Sequence, residues 1–497
     1  MRTLTTVLFN SFAFALFFPI VTLGYFLLPH RHRWWWLLAA SCVFYMFFKW
    51  IYILILFFTI VIDYYAGLLI EGAHGPRRKW YLVMSLVANL GVLAVFKYYN
   101  FLNDNISGLV SLWGATNPIP PLTILLPIGL SFHTFQAMSY TIEVYRGHQR
   151  AERHFGIYSL YVMFYPQLVA GPIERPQNVL HQFWEKHAFS YPRLVSGLQL
   201  MAWGLFKKVV IADRAAVMVN HVYNDPTQHT GLPLLVATVL FSIQIYCDFS
   251  GYSDIALGSA EAMGFSLMKN FDRPYFAKSI SEFWKRWHIS LSTWFRDYLY
   301  ISLGGNRVGT ARRYFNLWFT FLVSGLWHGA SWNFILWGAI HGTYLIVGVW
   351  TKPARRRLSD AVGIRAGAWP DKLLNVACTF VLAAFAWIFF RAVTFADAAH
   401  IVTHLFSGIG EQVAAIRTSA EARQELLFLG KGVRYMAVTV LAIGLMEVVH
   451  WLQRNRSVRD ILNVRPFAVR WALYYAVVLA IMCFGMFGES QFIYFQF

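Results

Sequence analysis

Charge is scarce in this sequence. Only 13% of its 497 residues are Asp, Glu, Lys or Arg, and 58% are hydrophobic, whereas soluble domains are about 25% charged and about 45–50% apolar. A water-soluble fold of this composition lacks the polar groups to cover its surface. Acidic residues are scarcer still, 24 against 42 Lys and Arg, so the formal net charge is +18. Cysteine is nearly absent. Cys42, Cys247, Cys378 and Cys483 lie far apart, each in an apolar segment, which excludes disulfide scaffolds and thiolate zinc sites, since both need closer groupings. These four are small core or lipid-facing residues. No G-x-S-x-G elbow, Walker loop or G-x-G-x-x-G following a strand is present, so serine hydrolase, NTPase and dinucleotide functions lack their motifs. There is no fixed repeat and no low-complexity segment.

The excess positive charge does not point to nucleic acid. It sits in short clusters between apolar runs: "HRHR" at 30–33, "PRRK" at 76–79, "KPARRR" at 352–357 and "RNRSVRD" at 454–460. That is the positive-inside pattern of cytoplasmic loops. A nucleic-acid binder shows instead a basic face interleaved with aromatics.

What the chain has in abundance is apolar runs near the length needed to cross a bilayer, about 20 residues. They fall at 7–28, 34–48, 50–70, 80–102, 122–145, 155–172, 195–212, 231–250, 313–327, 331–350, 373–392, 433–452 and 468–487. Short neighbours such as 34–48 and 50–70 are candidates for re-entrant or tilted segments. The longest polar stretches, 351–371 and 407–432, are loops, so the expectation is one polytopic membrane domain over 1–497, with 468–497 as a last membrane helix and an extracytoplasmic tail. The first apolar run is too long for the core of a cleaved signal peptide and reads as a membrane helix. The basic clusters put the loop after it and the segment 454–470 inside, and both chain ends outside. That requires an even number of crossings, so one of these segments does not cross or one crossing is missing from them.

The segment "SEFWKRWHISLSTWFRDYLYISLGG" (281–305) has a different pattern. Trp284, Trp287, Leu291, Trp294, Phe295 and Tyr298 recur at helical spacing, and Lys285, Arg286, Ser292, Thr293, Arg296 and Asp297 fall elsewhere. This predicts an amphipathic helix at a membrane interface, with His288 about 20° past the edge of the apolar stripe.

Ionisable residues inside spans need partners, water or chemistry to justify them. The candidates are Asp63, Lys97, His133, Glu174, Asp248, Asp254, His328, His341, Glu447 and His450. For most, a hydrogen-bonded structural pair is the default, and Lys97 and Glu447 lie near span ends, where they can snorkel. Asp248 and Asp254 flank "DFSGYSD", which fits either a break in a helix or the lining of a polar channel. His400 and His404 have the i, i+4 spacing of metal ligands but no nearby acidic third ligand, so no metal is expected. His328, in "SGLWHGASWN", is set apart by its surroundings. Ser324, Gly325, Gly329, Ala330 and Ser331 remove bulk on both sides, so a substrate or another backbone can approach the imidazole closely, with Trp327 and Trp332 as walls. A neutral imidazole is suited to take a proton from a hydroxyl near pH 7. Residue types alone leave structural and catalytic roles open.

The sequence resembles the membrane-bound O-acyltransferase family, in the bacterial branch that holds the membrane subunit of alginate O-acetylation and the D-alanine transfer protein of teichoic acids. The resemblance runs through "LPIGLSFHTFQAMSYTIEVYRG", "LVAGPIERP" and "IYCDFSGYSDIALGSAEAMGF". It is strongest in "SISEFWKRWHISLSTWFRDYLYISLGGNR" and "LVSGLWHGASWNFILWGAIHG", and it ends in "FIYFQF". It implies an all-α integral membrane fold, a ring of about 11–13 membrane helices with re-entrant and interfacial helices around a central tunnel. It places the family's catalytic histidine at His328 and its second histidine at His288. It also implies a donor funnel near Trp284, Trp287, Arg296, Asp297 and Trp327. Phe492, Tyr494 and Phe497 fit an ending that teichoic-acid systems carry on a separate one-span peptide, and this suggests an acyl relay at Tyr494; an interfacial aromatic belt is the other explanation for these residues. The implied activity is transfer of an acyl group, chiefly acetyl, to an extracytoplasmic polysaccharide. The donor is a cytoplasmic thioester, acetyl-CoA or an acyl-carrier thioester, with no resident cofactor. Extracytoplasmic acetylation proteins and membrane lipids are the implied partners. D-alanine transfer, a transporter or channel, and a non-catalytic scaffold are the alternatives.

Overall fold

The structure, a computed structural model, describes residues 8–123, 126–169, 171–454, 457–487 and 492–495. Among the described residues the protein is 77% helical and has no strand. Eight helices there are long and apolar enough to cross a membrane: His30–Gly72, Pro76–Ser111, Tyr191–Tyr223, Leu232–Met263, Trp332–Trp350, Trp369–Arg391, Val433–Leu452 and Phe467–Phe484. The all-α membrane architecture is as expected, but several expected spans have other forms. Segments 34–48 and 50–70 belong to one helical run, His30–Gly72, interrupted at Lys49 where φ is −160°. In 122–145 the helix begins only at Leu130, and almost all of Leu130–Arg146 is buried. Segment 155–172 divides into Phe155–Met163 and Tyr165–Leu168, with Pro166 in the first turn of the second. At about 1.5 Å per residue neither piece crosses a bilayer. Segment 313–327 is the helix Thr310–His328, which carries Arg312 and Arg313 near its start.

Two compact units are present, Met1–Met201 with Tyr252–Met268, and Ala202–Gly251 with Lys269–Phe497. In the first unit the buried ionisable groups are satisfied locally. Asp63 accepts from Ser85 Oγ at 2.6 Å, and Asn89 Nδ2 lies 2.9 Å from both carboxylate oxygens. His133 Nε2 lies 3.4 Å from the Thr59 hydroxyl, and Lys97 donates to Ser131 Oγ at 3.4 Å. Glu174 accepts from the Met268 N–H at 2.5 Å and from Asn178 Nδ2. Asp63 and Glu174 are buried carboxylates compensated by hydrogen bonds, the structural role expected by default; Lys97 is half-buried.

In the second unit the helix hairpin of Thr310–His328 and Trp332–Trp350 sets the position of His328. His328 is the last residue of the first helix, and only residues 329–331 make the turn. The two helices touch backbone to backbone. A Cβ added to Gly325 would run into the Phe334 carbonyl oxygen, and one added to Gly338 into the Phe321 carbonyl oxygen. Small residues let helices approach closely where the hydrophobic effect gives no drive between them. The small residues before His328 thus admit another backbone. The helix Leu232–Met263 runs unbroken through "DFSGYSD", so the break considered there is absent.

Gly325→Ala is expected to destabilise the protein by about 1–3 kcal/mol through overpacking. Gly348→Ala, on the same hairpin but facing open space, is expected to leave it unchanged. Thermal melts of the two variants in detergent check this pair.

Candidate active site

The stretch predicted as one interfacial helix is two short ones with a backbone reversal between them. Ile280–Arg286 is capped by Ser279, whose Oγ accepts from the Glu282 N–H at 3.1 Å. Trp287 is then extended, His288 is left-handed at φ 41° and ψ 57°, and Ile289–Phe295 resumes the helix. A left-handed residue with a Cβ costs about 1–2 kcal/mol, so something must hold it there. Residues 270–272 do. The Asp272 N–H donates to the Arg286 carbonyl at 2.8 Å, and the Ile289 N–H to the Asn270 carbonyl at 2.9 Å. The Asn270 side-chain oxygen accepts from the Ser290 N–H at 3.2 Å and from Ser290 Oγ at 2.9 Å. Burial would raise the Asp272 carboxyl, but the neighbouring Lys269 and Arg273 outweigh it and hold it below the usual range.

This corrects the interfacial-helix expectation. Trp284, Trp287, Leu291, Trp294, Phe295 and Tyr298 are all buried inside the protein. Their helical period persists across the reversal, which is why the sequence read as one helix. His288 does not sit at the edge of a stripe; it is fully buried.

The reversal and the hairpin bring the two histidines together, with ring centroids 6.4 Å apart. Tyr494 joins them, 5.7 Å from His328 and 6.2 Å from His288. Phe249 packs against both His288 (4.6 Å) and Tyr494 (4.5 Å), and Phe492 stacks on Tyr494 at 5.5 Å. Trp327, Trp337 and Phe390 surround His328 at 5.0, 4.9 and 5.4 Å. His328 is only 3% exposed, so the ring is enclosed by side chains, Tyr494 among them. Phe497, the last residue of the tail motif, lies outside the described residues.

The residues expected to form a donor funnel divide. Trp327 belongs to the site, 6.2 Å from His288. Trp287 stacks on Phe283 and packs on Trp387. The Trp284 indole donates to His341 Nδ1 at 3.2 Å. An indole only donates, so this Nδ1 is an acceptor and the ring carries its proton on Nε2. His341 is therefore a structural partner of Trp284. Arg296 and Asp297 pair with each other, Nε to Oδ1 at 2.6 Å, with the guanidinium largely exposed. His450 bonds Tyr246 (3.1 Å) and lies 3.5 Å from Glu447. His400 and His404 stack on each other and bond backbone carbonyls.

A chain with two histidines and a tyrosine gathered inside a helical membrane protein invites comparison. The membrane-bound O-acyltransferase family, MBOAT, matches residues 45–381. The chain belongs to this family. The acyltransferase is 41% identical over 392 residues to the "Probable alginate O-acetylase AlgI" of Azotobacter vinelandii, covering 77% of this chain and 74% of that protein. It is 32% identical over 491 residues to the "Peptidoglycan O-acetyltransferase" of Helicobacter pylori, covering 91% and 90%. It is 28% identical over 241 residues to the "Teichoic acid D-alanyltransferase" of Bacillus subtilis, covering 46% and 60%. His288 and His328 of the acyltransferase fall within the family match, and Tyr494 falls beyond it.

Sequence reasoning missed several residues of this site. Phe249, Trp337 and Phe390 carry no signal beyond being aromatic. Lys208 did carry one: "FKKVV" places two lysines inside the apolar run 195–212, the same anomaly that singled out the other ionisable residues.

Asn270→Ala removes the acceptor for two Ser290 bonds and loosens the reversal under His288. We expect acyl transfer to fall about tenfold or more, as for loss of bonds worth about 1–3 kcal/mol, while the protein still inserts. Transfer assays alongside thermal melts check this.

Proposed function

We propose that this acyltransferase takes an acetyl group from a cytoplasmic thioester and delivers it, by way of Tyr494, to hydroxyls of an extracytoplasmic polysaccharide. The observation that carries this reading is the placement of the Tyr494 ring 5.7 Å from the His328 ring and 6.2 Å from the His288 ring, on a tail that belongs to the chain itself. The relatives named as alginate and peptidoglycan O-acetylating proteins support the acetyl group and the polymer.

The step is a transesterification. The Tyr494 phenol oxygen attacks the thioester carbonyl, a C–O bond forms and the C–S bond breaks. His328 takes the phenol proton and returns it to the departing thiolate. General-base catalysis of this kind contributes about 10²–10⁴-fold. His288, across from His328, orients the carbonyl. A phenol, with an ordinary pKa near 10, is a better leaving group than a sugar alcohol, so a tyrosyl ester keeps the acetyl group activated for a second transfer by an extracytoplasmic partner protein. Because side chains enclose both imidazoles, the donor reaches them only where the enclosing groups part, and Trp327 is one of those groups, beside both rings. The basic clusters favour an inner-membrane protein with both ends outside.

D-alanine transfer to a cell-envelope polymer is the second reading, supported by the teichoic-acid relatives. The tail on the chain itself favours acetyl transfer over it.

His328→Ala is expected to abolish polymer acetylation in cells while leaving membrane insertion intact; normal acetylation would remove His328 from the mechanism. Mass spectrometry of the C-terminal peptide during turnover is expected to show +acetyl on Tyr494, and none in Tyr494→Phe. A wild-type peptide without ester would remove the relay.

A further inference from the structure

We infer that Lys208 and Asp248 form a latch that grips the C-terminal tail by its backbone and so sets where Tyr494 stands between the two imidazoles. The inference rests on the relay reading for its consequence in catalysis, though not for the latch itself.

The latch begins with a local irregularity. Phe206–Ala212 is a π-helical widening, and all of its residues are buried. Such single-turn widenings are frequent at functional sites, and here Lys207 and Lys208 are both buried. The Lys208 ammonium lies 2.6 Å from Asp213 Oδ1 and 2.7 Å from Asp248 Oδ1. Lys207 donates to Ser250 Oγ at 2.8 Å and lies 5.8 Å over the Tyr246 ring. The second carboxylate oxygen of Asp248, Oδ2, accepts from the Ile493 N–H at 2.7 Å. That bond reaches the residue next to Tyr494.

The same stretch holds the chain upstream. The Val209 carbonyl accepts from the Met486 N–H at 2.9 Å, and the Arg214 guanidinium donates to the Phe484 carbonyl at 2.6 Å. Residues 208–214 thus grip the tail where it leaves the helix Phe467–Phe484 and, through Asp248, again at Ile493. Phe249, next to Asp248, packs against both Phe492 and Tyr494, so ring and carboxylate act at adjacent positions of one helix.

All three polar contacts read main-chain atoms, and none involves the phenol oxygen. The latch therefore holds the tail equally whether Tyr494 is free or esterified. A hydrogen bond to a carboxylate is shorter and stronger than a neutral one, and small displacements of a reacting group are expensive, about 10²-fold in rate for 1 Å. Asp248 and Lys208 act through the tail and are positioning residues.

The test uses the full-length protein in detergent or membranes, with two readouts. Hydrogen exchange of the C-terminal peptide reports docking, and polymer acetylation reports function. Asp248→Asn and Lys208→Met are each expected to raise exchange over 492–495 and to lower acetylation about tenfold or more. Ile493→Pro removes the donated N–H, at the first position of the short turn Ile493–Phe495, where proline is tolerated, and with it the buried Ile493 side chain. Ile493→Ala also loses that side chain but keeps the N–H, so exchange over 492–495 is expected to be higher in Ile493→Pro than in Ile493→Ala. The double variant Asp248→Asn with Ile493→Pro is expected to be no worse than the worse single one, because the two remove the same bond. Unchanged exchange in Asp248→Asn, or fully additive losses in the double variant, would overturn the latch. If Asp248→Asn does not accumulate, the contrast between Ile493→Pro and Ile493→Ala decides, since both change only the chain end: equal exchange in the two overturns the latch. Raised exchange with wild-type acetylation would support the latch and sink the relay.

Discussion

An ammonium taken out of water costs several kcal/mol unless anions meet it, and Lys208, buried among apolar helices, is met by two. The rest of the site leans on that pairing. Lys208 holds Asp248 in place, and Asp248 in turn offers its second oxygen to the tail. Replacing Lys208 by an apolar residue would leave two carboxylates facing each other without a cation.

Three irregularities in an otherwise helical protein converge on one place. The π-widening at 206–212 carries the buried Lys208, the left-handed residue at 288 turns an imidazole inward, and the glycine contacts at 325 and 338 bring the helix end carrying His328 close. Each departs from the local minimum for its residues. Such departures persist only where surrounding structure over-determines them, as the Asn270 bonds do for His288.

The membrane class was legible because it depends on composition, and a chain with so few charged residues has few other options. His328 was legible because a histidine between small residues in an apolar run is anomalous in a purely local way. What the flanking glycines accommodate was not local: Gly325 meets the Phe334 carbonyl and Gly329 the Phe334 ring, both set by the hairpin. The reversal at His288 was hidden for the same reason. Its cause is the Asn270 side chain, remote in sequence, while the aromatic spacing across it stayed helical. The segment 155–172 was overread as one crossing helix because hydropathy records burial, and burial in protein looks the same as burial in lipid. Lys208 was within reach and passed over: a lysine pair in an apolar run asks for buried anions, and Asp213 lies five residues on.

Enclosure bears on which acceptor the chemistry can use. The His328 ring is walled by Trp327, Trp337, Phe390 and Tyr494. A polysaccharide is bulky and heavily hydrated, and bringing it to such a ring would strip water from many hydroxyls without replacing their hydrogen bonds. A tyrosine on a chain end is slender, and its apolar ring packs on Phe249 and Phe492. On the relay proposed above, it would carry one ester at a time out of the site, and the aromatic walls that exclude the polymer would keep water from hydrolysing the activated ester before delivery.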